Sequence, residues 1–184
     1  MKILAFVGMS GSGKTAATEY VVEKWGVPKI YFGGIMHRAM EEEGWEVSSE
    51  GDIKYPPLLR AKYGKDFVAK RAIQSITGLI GAGQKRIVLD GLYSWAEYKA
   101  LKHEFPGEII VVAMVPTKKE RHKRLAGRGE REYDKEGANA RDWSEIENAE
   151  KGGPIAAADY FIVNDGAKEE TQGEVDRVLG EIGF

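Results

Sequence analysis

The sequence contains no cysteine and only three histidines, and both shortages restrict its chemistry. Without cysteine the chain has no disulfides, no thiolate zinc site and no cysteine nucleophile, which suits a reducing compartment. The histidines, His37, His103 and His122, are scattered along the chain, so their spacing does not predict a metal cluster.

The sequence also lacks a long apolar run and an excess of charge of either sign. Its first apolar run, residues 3–7, leads straight into a glycine-rich loop, so it predicts neither a signal peptide nor a membrane span. The net charge of -2 gives no reason to expect nucleic acid or an acidic membrane surface as a partner. We therefore expect one cytoplasmic domain over residues 1–184.

What the sequence does contain is a complete phosphate-binding loop, G-x-x-x-x-G-K-[ST], over residues 8–15. Its glycines let successive N–H groups point into one concavity that suits the oxygens of a di- or triphosphate. Lys14 can reach the β- and γ-phosphates, and the Thr15 hydroxyl can ligate a bridging Mg²⁺. The residues predicted to bind the nucleotide here are Gly8, Ser10, Gly11, Ser12, Gly13, Lys14 and Thr15.

The apolar runs of the chain alternate with helical patterns. The candidate strands are residues 3–7, 29–32, 86–89, 109–115 and 160–163. A helical pattern over 15–25 ends at Gly26, and the last helix is expected near 167–181. This alternation predicts an α/β fold with a parallel sheet and helices on both faces. The order strand, glycine loop, helix aims a helix N-terminus at phosphate.

Two stretches do not have the pattern of a core. Residues 35–83 form a polar, mostly helical insertion that we expect to be broken around Tyr55, Pro56 and Pro57. Residues 126–142 are rich in Gly, Arg, Glu and Lys and have almost no apolar period. They are either a solvated loop or a mobile lid.

Single charged residues follow two of the candidate strands. Asp90 ends the third, at the edge where ligands of such sheets bind, and would hold Mg²⁺ directly or through water unless it only caps a helix. Arg38 follows Gly33 and Gly34 and is expected in the first turn of the next helix. It could clamp a phosphate or carboxylate, or it could be a surface arginine.

A basic segment lies further along the chain. Arg121, Arg124 and Arg128 share one helical face, and Arg131 lies just beyond. Phosphoryl transfer needs positive charge that arrives with closure of the site. The alternatives are a salt-bridged exposed helix and a nucleic-acid patch. Acidic neighbours and the lack of aromatic residues beyond Tyr133 make nucleic acid the weaker interpretation.

A polar turn follows the last candidate strand. Asn164 and Gly166 could bring main-chain groups to a purine ring at the ligand edge. The turn could equally be a plain connection in which Asp165 caps the final helix.

Together these residues resemble the dephospho-coenzyme A kinase and adenylate kinase group of P-loop kinases, including a mostly archaeal set of dephospho-coenzyme-A-kinase-like ATPases. Besides the loop, residues 33–38 are similar to a G-D-x-x-R motif and residues 59–71 to L-R-x-x-Y-G-x-D-x-x-A-x-R. Residues 90–97 resemble D-G-x-R-S-x-x-E, and residues 158–166 match A-D-Y-x-I-x-N-x-G.

The resemblance implies a P-loop NTPase fold of three α/β/α layers, with a five-stranded parallel sheet in the order 2-3-1-4-5. It also implies an acceptor-binding insertion at 35–83 and an arginine lid at about 121–142. ATP with Mg²⁺ would be the donor, and the acceptor a small molecule of nucleotide or dephospho-coenzyme A type. We expect a monomer or homodimer.

On this basis each candidate site residue receives a role. The expected catalytic residues are Lys14, Asp90, Arg124, Arg128 and Arg131. Thr15 and Asp90 would hold the metal. Asn164 and Gly166 would join the loop in binding ATP. The expected acceptor-binding residues are Gly33, Arg38, Arg60 and Arg71.

The sequence departs from the kinase motifs at two positions and in one run. The acid of G-D-x-x-R is Gly34 here, and the arginine of D-G-x-R is Tyr93. The run after the lid, residues 147–151, lacks an arginine, for which Arg141 is a candidate substitute.

The loss of the acid bears on the acceptor. Because a phosphate acceptor needs no general base, the loss favours a nucleoside monophosphate, unless Asp90 or Asp66 serves as the base. A second hypothesis is an ATP-binding switch without an acceptor.

Overall fold

The computed structural model of the protein describes residues 1–129 and 132–184. The described residues form a parallel sheet in the order β2-β3-β1-β4-β5. The strands are β1 (Lys2–Val7), β2 (Lys29–Tyr31), β3 (Arg86–Asp90), β4 (Ile109–Met114) and β5 (Tyr160–Ile162). The predicted strands, their parallel pairing and their order are confirmed.

Helices cover both faces of the sheet. They are α1 (Lys14–Trp25), α2 (Phe32–Glu42), α3 (Gly51–Tyr63), α4 (Phe67–Gly81), α5 (Trp95–Glu104), α6 (Lys118–Ala126), α7 (Lys135–Glu147), α8 (Gly152–Ala156) and α9 (Lys168–Ile182). None of these described helices combines the length and the apolar character needed to cross a membrane.

The central strand β1 divides the core into two layers. Ile3 and Ala5 pack with α2, α4 and α5, whereas Leu4 and Phe6 pack with α1 and α9. Because both faces of the strand are covered, nearly every residue of β1 is apolar. Phe6 lies beside Asp90 of β3 in the parallel register, so the loop after β1 and the acid at the end of β3 reach the same edge of the sheet.

The expected break around Tyr55, Pro56 and Pro57 is wrong, because α3 runs through all three residues. Proline has no N–H to donate, so Pro56 leaves the carbonyl of Asp52, four residues earlier, without its helical partner. That carbonyl accepts a hydrogen bond from Arg141 Nη1 instead. Helix α3 thus continues through its two prolines, and the freed carbonyl of Asp52 links α3 to α7.

The solvated-loop interpretation is wrong for residues 135–142, which belong to α7. The helix begins at an N-cap, Asp134, whose side chain accepts from the N–H of Gly137 at 2.7 Å. Its buried positions are Ala138, Asp142 and Glu145, which are spaced as one face of a helix. Since two of the three are charged, the face carries no apolar period.

Candidate functional site

The phosphate loop is a tight turn between β1 and α1. Gly8, Gly11 and Gly13 have φ angles of 151°, 78° and 88°, in the region that favours glycine. A Cβ atom on Gly11 would lie 2.6 Å from the carbonyl oxygen of Arg121. The glycines are therefore required sterically, and the loop leads into the N-terminus of α1, where an anion is favoured.

Thr15 and Asp90 place two side-chain oxygen atoms side by side at the phosphate loop. Thr15 Oγ1 donates to Asp90 Oδ1 at 3.2 Å. Burial raises the pKa of Asp90, while Lys14 and the Thr15 hydroxyl act against that shift. In the described part of the chain no three His, Cys, Asp or Glu residues cluster to cage a metal. The pair fits Mg²⁺ of the kind that takes its remaining ligands from phosphates and water.

Glu145 of α7 was not predicted from the sequence, yet it contacts the phosphate loop directly. Its carboxylate accepts from the Ser10 N–H at 2.9 Å and from the Ser10 hydroxyl. It also accepts from Arg141 Nε at 2.9 Å and lies 2.7 Å from Lys151 Nζ. Burial alone would raise the pKa of Glu145, but Lys151, Arg141 and Lys14 outweigh it and hold that pKa far below its usual range.

Lys151 is the last residue of the run 147–151, which lacks the arginine of the kinase motif, and its side chain is buried in the site. Its Nζ lies 4.3 Å from the ring centroid of Tyr93, the residue that replaces the motif arginine. Burial, opposed by Glu145 and reinforced by Lys14 and Arg141, lowers the pKa of Lys151 to about 7. Burial likewise raises the pKa of Tyr93 well above its usual value, so this phenol stays neutral.

The predicted arginines do not act as one face. Arg121 is buried in a bidentate pair with Asp142, at 2.6 and 2.9 Å, and also donates to the Ser10 carbonyl. Arg124 donates to the main-chain oxygen of Asn164 at 2.8 Å. Arg128 is exposed and lines the cavity beside the loop. Arg131 lies outside the described residues.

The cavity beside the loop has a volume of about 260 Å³ and is bounded by α2, α3 and α7. Arg60 lines it and is only 7% exposed. Its Nη2 lies 3.5 Å from Glu97 Oε1, and its Nε has no hydrogen-bond partner. Arg60 is thus a buried cation at the cavity whose hydrogen bonds are incomplete.

The other predicted acceptor residues are divided. Gly33 lines the cavity, but Arg38 and Arg71 are not among the described residues that do. Arg38 is exposed in the second turn of α2, not the first, because the helix already begins at Phe32. Arg71 pairs with Glu42 at 2.8 Å on the surface.

Asp66, one of the candidate bases, also lies apart from the cavity. It pairs with Lys70 at 3.1 Å and is not among the described lining residues. Of the two acids proposed to act as the base, only Asp90 therefore stands close to the phosphate loop.

The Tyr31 ring occupies the space beside position 34, where the kinase motif has its acid. Its ring packs over the start of α2, and a Cβ atom on Gly33 or Gly34 would come within 2.5 or 2.9 Å of that ring. An aspartate at position 34 would collide with Tyr31 in this arrangement. Tyr31 is itself a cavity-lining residue that the sequence did not single out.

A second cavity, of about 250 Å³, lies on the other side of the loop, between α1 and α9. Gly13 and Arg124 line both cavities, and Gly166 lines this one. The Asn164 side chain donates to the Ser12 carbonyl at 2.9 Å and accepts from Thr171 at 2.7 Å. It therefore ties the phosphate loop to α9.

The alternative role for Asp165 as the cap of the final helix is wrong. The N-cap of α9 is Ala167, and the Asp165 carboxylate instead accepts from the N–H of Thr117 at 2.7 Å. Through the Asp165 side chain, the turn after β5 is thus hydrogen-bonded to the segment before α6.

Comparison with known proteins places this geometry in a family. A model described as an AAA domain matches residues 4–151. A UPF0200 protein of Thermococcus kodakarensis is 35% identical over 183 residues, which cover 98% of this chain and 97% of that protein. A UPF0200 protein of Sulfurisphaera tokodaii is 33% identical over 187 residues, covering 99% and 98%.

Solved structures of small-molecule kinases share the fold. Shikimate kinase from Acinetobacter baumannii, in complex with shikimate, superposes with a TM-score of 0.59 at 15% identity, covering 99% of this chain and 93% of that one. A gluconokinase from Sinorhizobium meliloti 1021 superposes with a TM-score of 0.55 at 14% identity, covering 100% of this chain and 96% of that one. At such identities the likeness shows the fold alone, which is of the P-loop kinase type.

None of these matches shows a dephospho-coenzyme A kinase. The family model covers most of the chain, and the UPF0200 relatives align along nearly all of it. The chain therefore belongs to the AAA-domain family and to the UPF0200 proteins.

Proposed function

We propose that this protein is a kinase that transfers the γ-phosphoryl group of ATP to a small acceptor. The observation that carries the proposal is the position of the phosphate loop between two cavities. A kinase needs a donor pocket and an acceptor pocket that meet where the phosphoryl group passes. Gly13 and Arg124 line both cavities and would therefore lie at that meeting point.

The donor would occupy the loop and the cavity between α1 and α9. Of the main-chain N–H groups of residues 10–15, those of Gly11, Gly13, Lys14 and Thr15 would bind the α- and β-phosphates, because the Ser10 N–H donates to Glu145 and the Ser12 N–H to the Met9 carbonyl. Lys14 would neutralise the β- and γ-oxygens. Thr15 and Asp90 would hold Mg²⁺, which when bound reduces the negative charge on the phosphate oxygens. Asn164 and Gly166 would lie beside the nucleoside.

The acceptor would occupy the cavity bounded by α2, α3 and α7. Its walls carry aromatic rings and prolines, and the incompletely paired Arg60 supports an acceptor with a carboxylate or phosphate group. A nucleotide or a dephospho-coenzyme-A-like molecule meets that requirement. So do small acids such as shikimate, whose kinase shares the fold.

The remaining assignments complete the proposal. Residues 1–184 would act as one kinase domain, with the acceptor insertion at 35–83 and the lid at 121–142. Arg124, Arg128 and Arg131 would supply positive charge from the lid. The enzyme would work in the cytoplasm as a monomer or homodimer.

The test is an acceptor screen that measures ADP formation from ATP and Mg²⁺. The acceptors are dephospho-coenzyme A, nucleoside monophosphates, nucleosides, shikimate and gluconate. We expect one class to raise turnover well above slow hydrolysis. If none does, the kinase proposal fails.

The Lys14→Met variant provides the second arm of this test. We expect it to lower turnover by roughly 100-fold or more, because a preorganised charge on the transferring group is lost. The exposed Lys99→Met is the matched control and should match the wild type. Near-normal transfer by Lys14→Met would place the donor site elsewhere.

The alternative is an ATP-binding switch with no acceptor, which the lack of an acid at Gly34, beneath the Tyr31 ring, favours. Light scattering with and without ATP, alone and with candidate partners, distinguishes the two. A switch changes its assembly with nucleotide and shows no acceptor-stimulated turnover.

A further inference from the structure

An excess of positive charge surrounds Glu145 at the mouth of the phosphate loop. Lys151 and Arg141 contact its carboxylate, at 2.7 and 2.9 Å, and Lys14 acts on it as a further cation. Asp90 also acts on Lys14 and Asp52 on Arg141, but the described lining of the cavity carries six lysine and arginine side chains against two carboxylates, those of Asp52 and Glu145, so positive charge is in excess. The Ser10 N–H donates to the same carboxylate, so the cluster directly contacts the phosphate loop.

A buried cluster with surplus positive charge favours an anion beside it. We propose that Lys151 binds the terminal phosphoryl group of the nucleotide, and that a proton taken up from solvent completes its ammonium when that group arrives. The inference rests on the proposed function, because it requires ATP in the phosphate loop. Glu145 is then a positioning residue that holds Lys151 and Arg141 against the loop.

The groups around Lys151 explain why its amine would take up a proton. The ionisable groups that face it are Lys14 from the phosphate loop, Arg141 and Glu145 from α7, and Tyr93 from the segment after β3. The helix that follows it, α8, contains no ionisable side chain. Because burial and the two other cations outweigh Glu145, the pKa of Lys151 falls to about 7.

A free amine and an ammonium are therefore both populated near neutral pH. A phosphoryl group carries negative charge and raises the pKa of a neighbouring lysine. Binding of a triphosphate above pH 7 should then take up a proton, whereas a diphosphate, which lacks the terminal group, should take up much less. Lys151 keeps this proton throughout, so no covalent step is assigned to it.

The test is isothermal titration calorimetry at pH 8 with Mg²⁺, in two buffers of different ionisation enthalpy. The probes are the β,γ-imido analogue of ATP, which resists transfer, and ADP. We expect the wild type to take up close to one proton with the triphosphate. Lys151→Arg should bind it without uptake, because a guanidinium is always protonated. Lys151→Met should bind roughly tenfold more weakly, also without uptake.

The matched control is Lys65→Met, which alters an exposed lysine that pairs with Glu150, the residue before Lys151, and it should behave as the wild type. If Lys151→Arg does not fold, Lys151→Gln serves in its place. Equal proton uptake in wild type and the Lys151 variants, or with triphosphate and diphosphate, would overturn the inference. Failure of the folded wild type to bind either nucleotide would instead overturn the proposed function.

Discussion

Burial and neighbouring charge together decide what each ionisable residue at the phosphate loop can do. Glu145 stays ionised because three cations outweigh its burial, whereas Lys151 is left near its titration point by the same crowding. Arg141 remains charged, since Glu145 and Asp52 outweigh its burial and raise its pKa. The site thus contains fixed charges and one adjustable charge.

Arg60 provides a test of the acceptor side at the residue scale. Arg60→Lys keeps the charge beside Glu97 but loses the planar fork that binds a carboxylate or phosphate in bidentate fashion. We expect the KM for the acceptor to rise roughly tenfold, equivalent to about 1.4 kcal/mol, with a smaller change in kcat. Steady-state kinetics with the acceptor found in the screen measure both.

Arg71→Lys is the control for this change, because Arg71 pairs with Glu42 outside the cavity. It should leave both kinetic parameters as they are. An equal effect of the two substitutions would remove Arg60 from the acceptor site.

The elements of the fold differ in how well the sequence predicts them, and the reason is what each one buries. The strands were predicted because their buried faces are continuous apolar runs, as in β1 and β4. Helix α7 was missed because its buried face is formed by Ala138, Asp142 and Glu145, so the helical period is present but charged. That spacing was the signal available in the sequence, and the cations that pair with Asp142 and Glu145 come from α6, from α7 itself and from the segment after α7.

The candidate site follows the same division. The loop and Asp90 were predicted because a motif and a strand end fix their positions. Lys151 and Tyr31 were not, because only the folded chain brings residue 151 beside residue 145 and a tyrosine ring over residue 34. Arg121 was predicted to share a basic helical face with Arg124 and Arg128, but its bidentate pair with Asp142 joins α6 to α7.

The pair between Arg121 and Asp142 makes a prediction for the α6–α7 contact. Asp142→Asn leaves a buried guanidinium without its charged partner, and we expect a loss of about 3 kcal/mol in unfolding free energy at pH 7. Urea titration measures it. Asp176→Asn, which alters an exposed pair with Lys24, is the control and should cost much less.

The same pair predicts a pH dependence. Burial would raise the pKa of Asp142, but hydrogen bonds from Arg121 and His122 outweigh it, so its folded pKa lies below the unfolded value of about 3.9. The stabilisation is therefore complete above that value and is lost as the pH falls through the folded pKa. The difference in unfolding free energy between the wild type and Asp142→Asn should therefore become smaller below about pH 4. A gap that does not depend on pH would contradict this account.

On the scale of the whole molecule, the parallel sheet gathers the functional groups at one edge. The loop after β1 and the acid of β3 come from neighbouring strands, and the turn after β5 reaches the same loop through Asn164. Helix α7 adds Glu145, which lies 135 residues after Ser10 in the sequence. A nucleotide bound there would contact segments that are distant in sequence, so its binding should stabilise the whole fold.

That coupling can be measured by thermal unfolding with ATP and Mg²⁺. At a nucleotide concentration 100-fold above the Kd, we expect a gain of about 2.7 kcal/mol, which corresponds to roughly 5–11 °C in Tm for a chain of this size. Chelation of Mg²⁺ should reduce the gain in the wild type.

Asp90→Asn should show the reduced gain with or without Mg²⁺, because the carboxylate beside Thr15 is lost. Asp66→Asn, whose carboxylate lies outside the cavity, should keep the full Mg²⁺-dependent gain. If Asp90→Asn retained that gain, the metal would be held elsewhere, and the absence of any gain in the wild type would contradict nucleotide binding at this edge of the sheet.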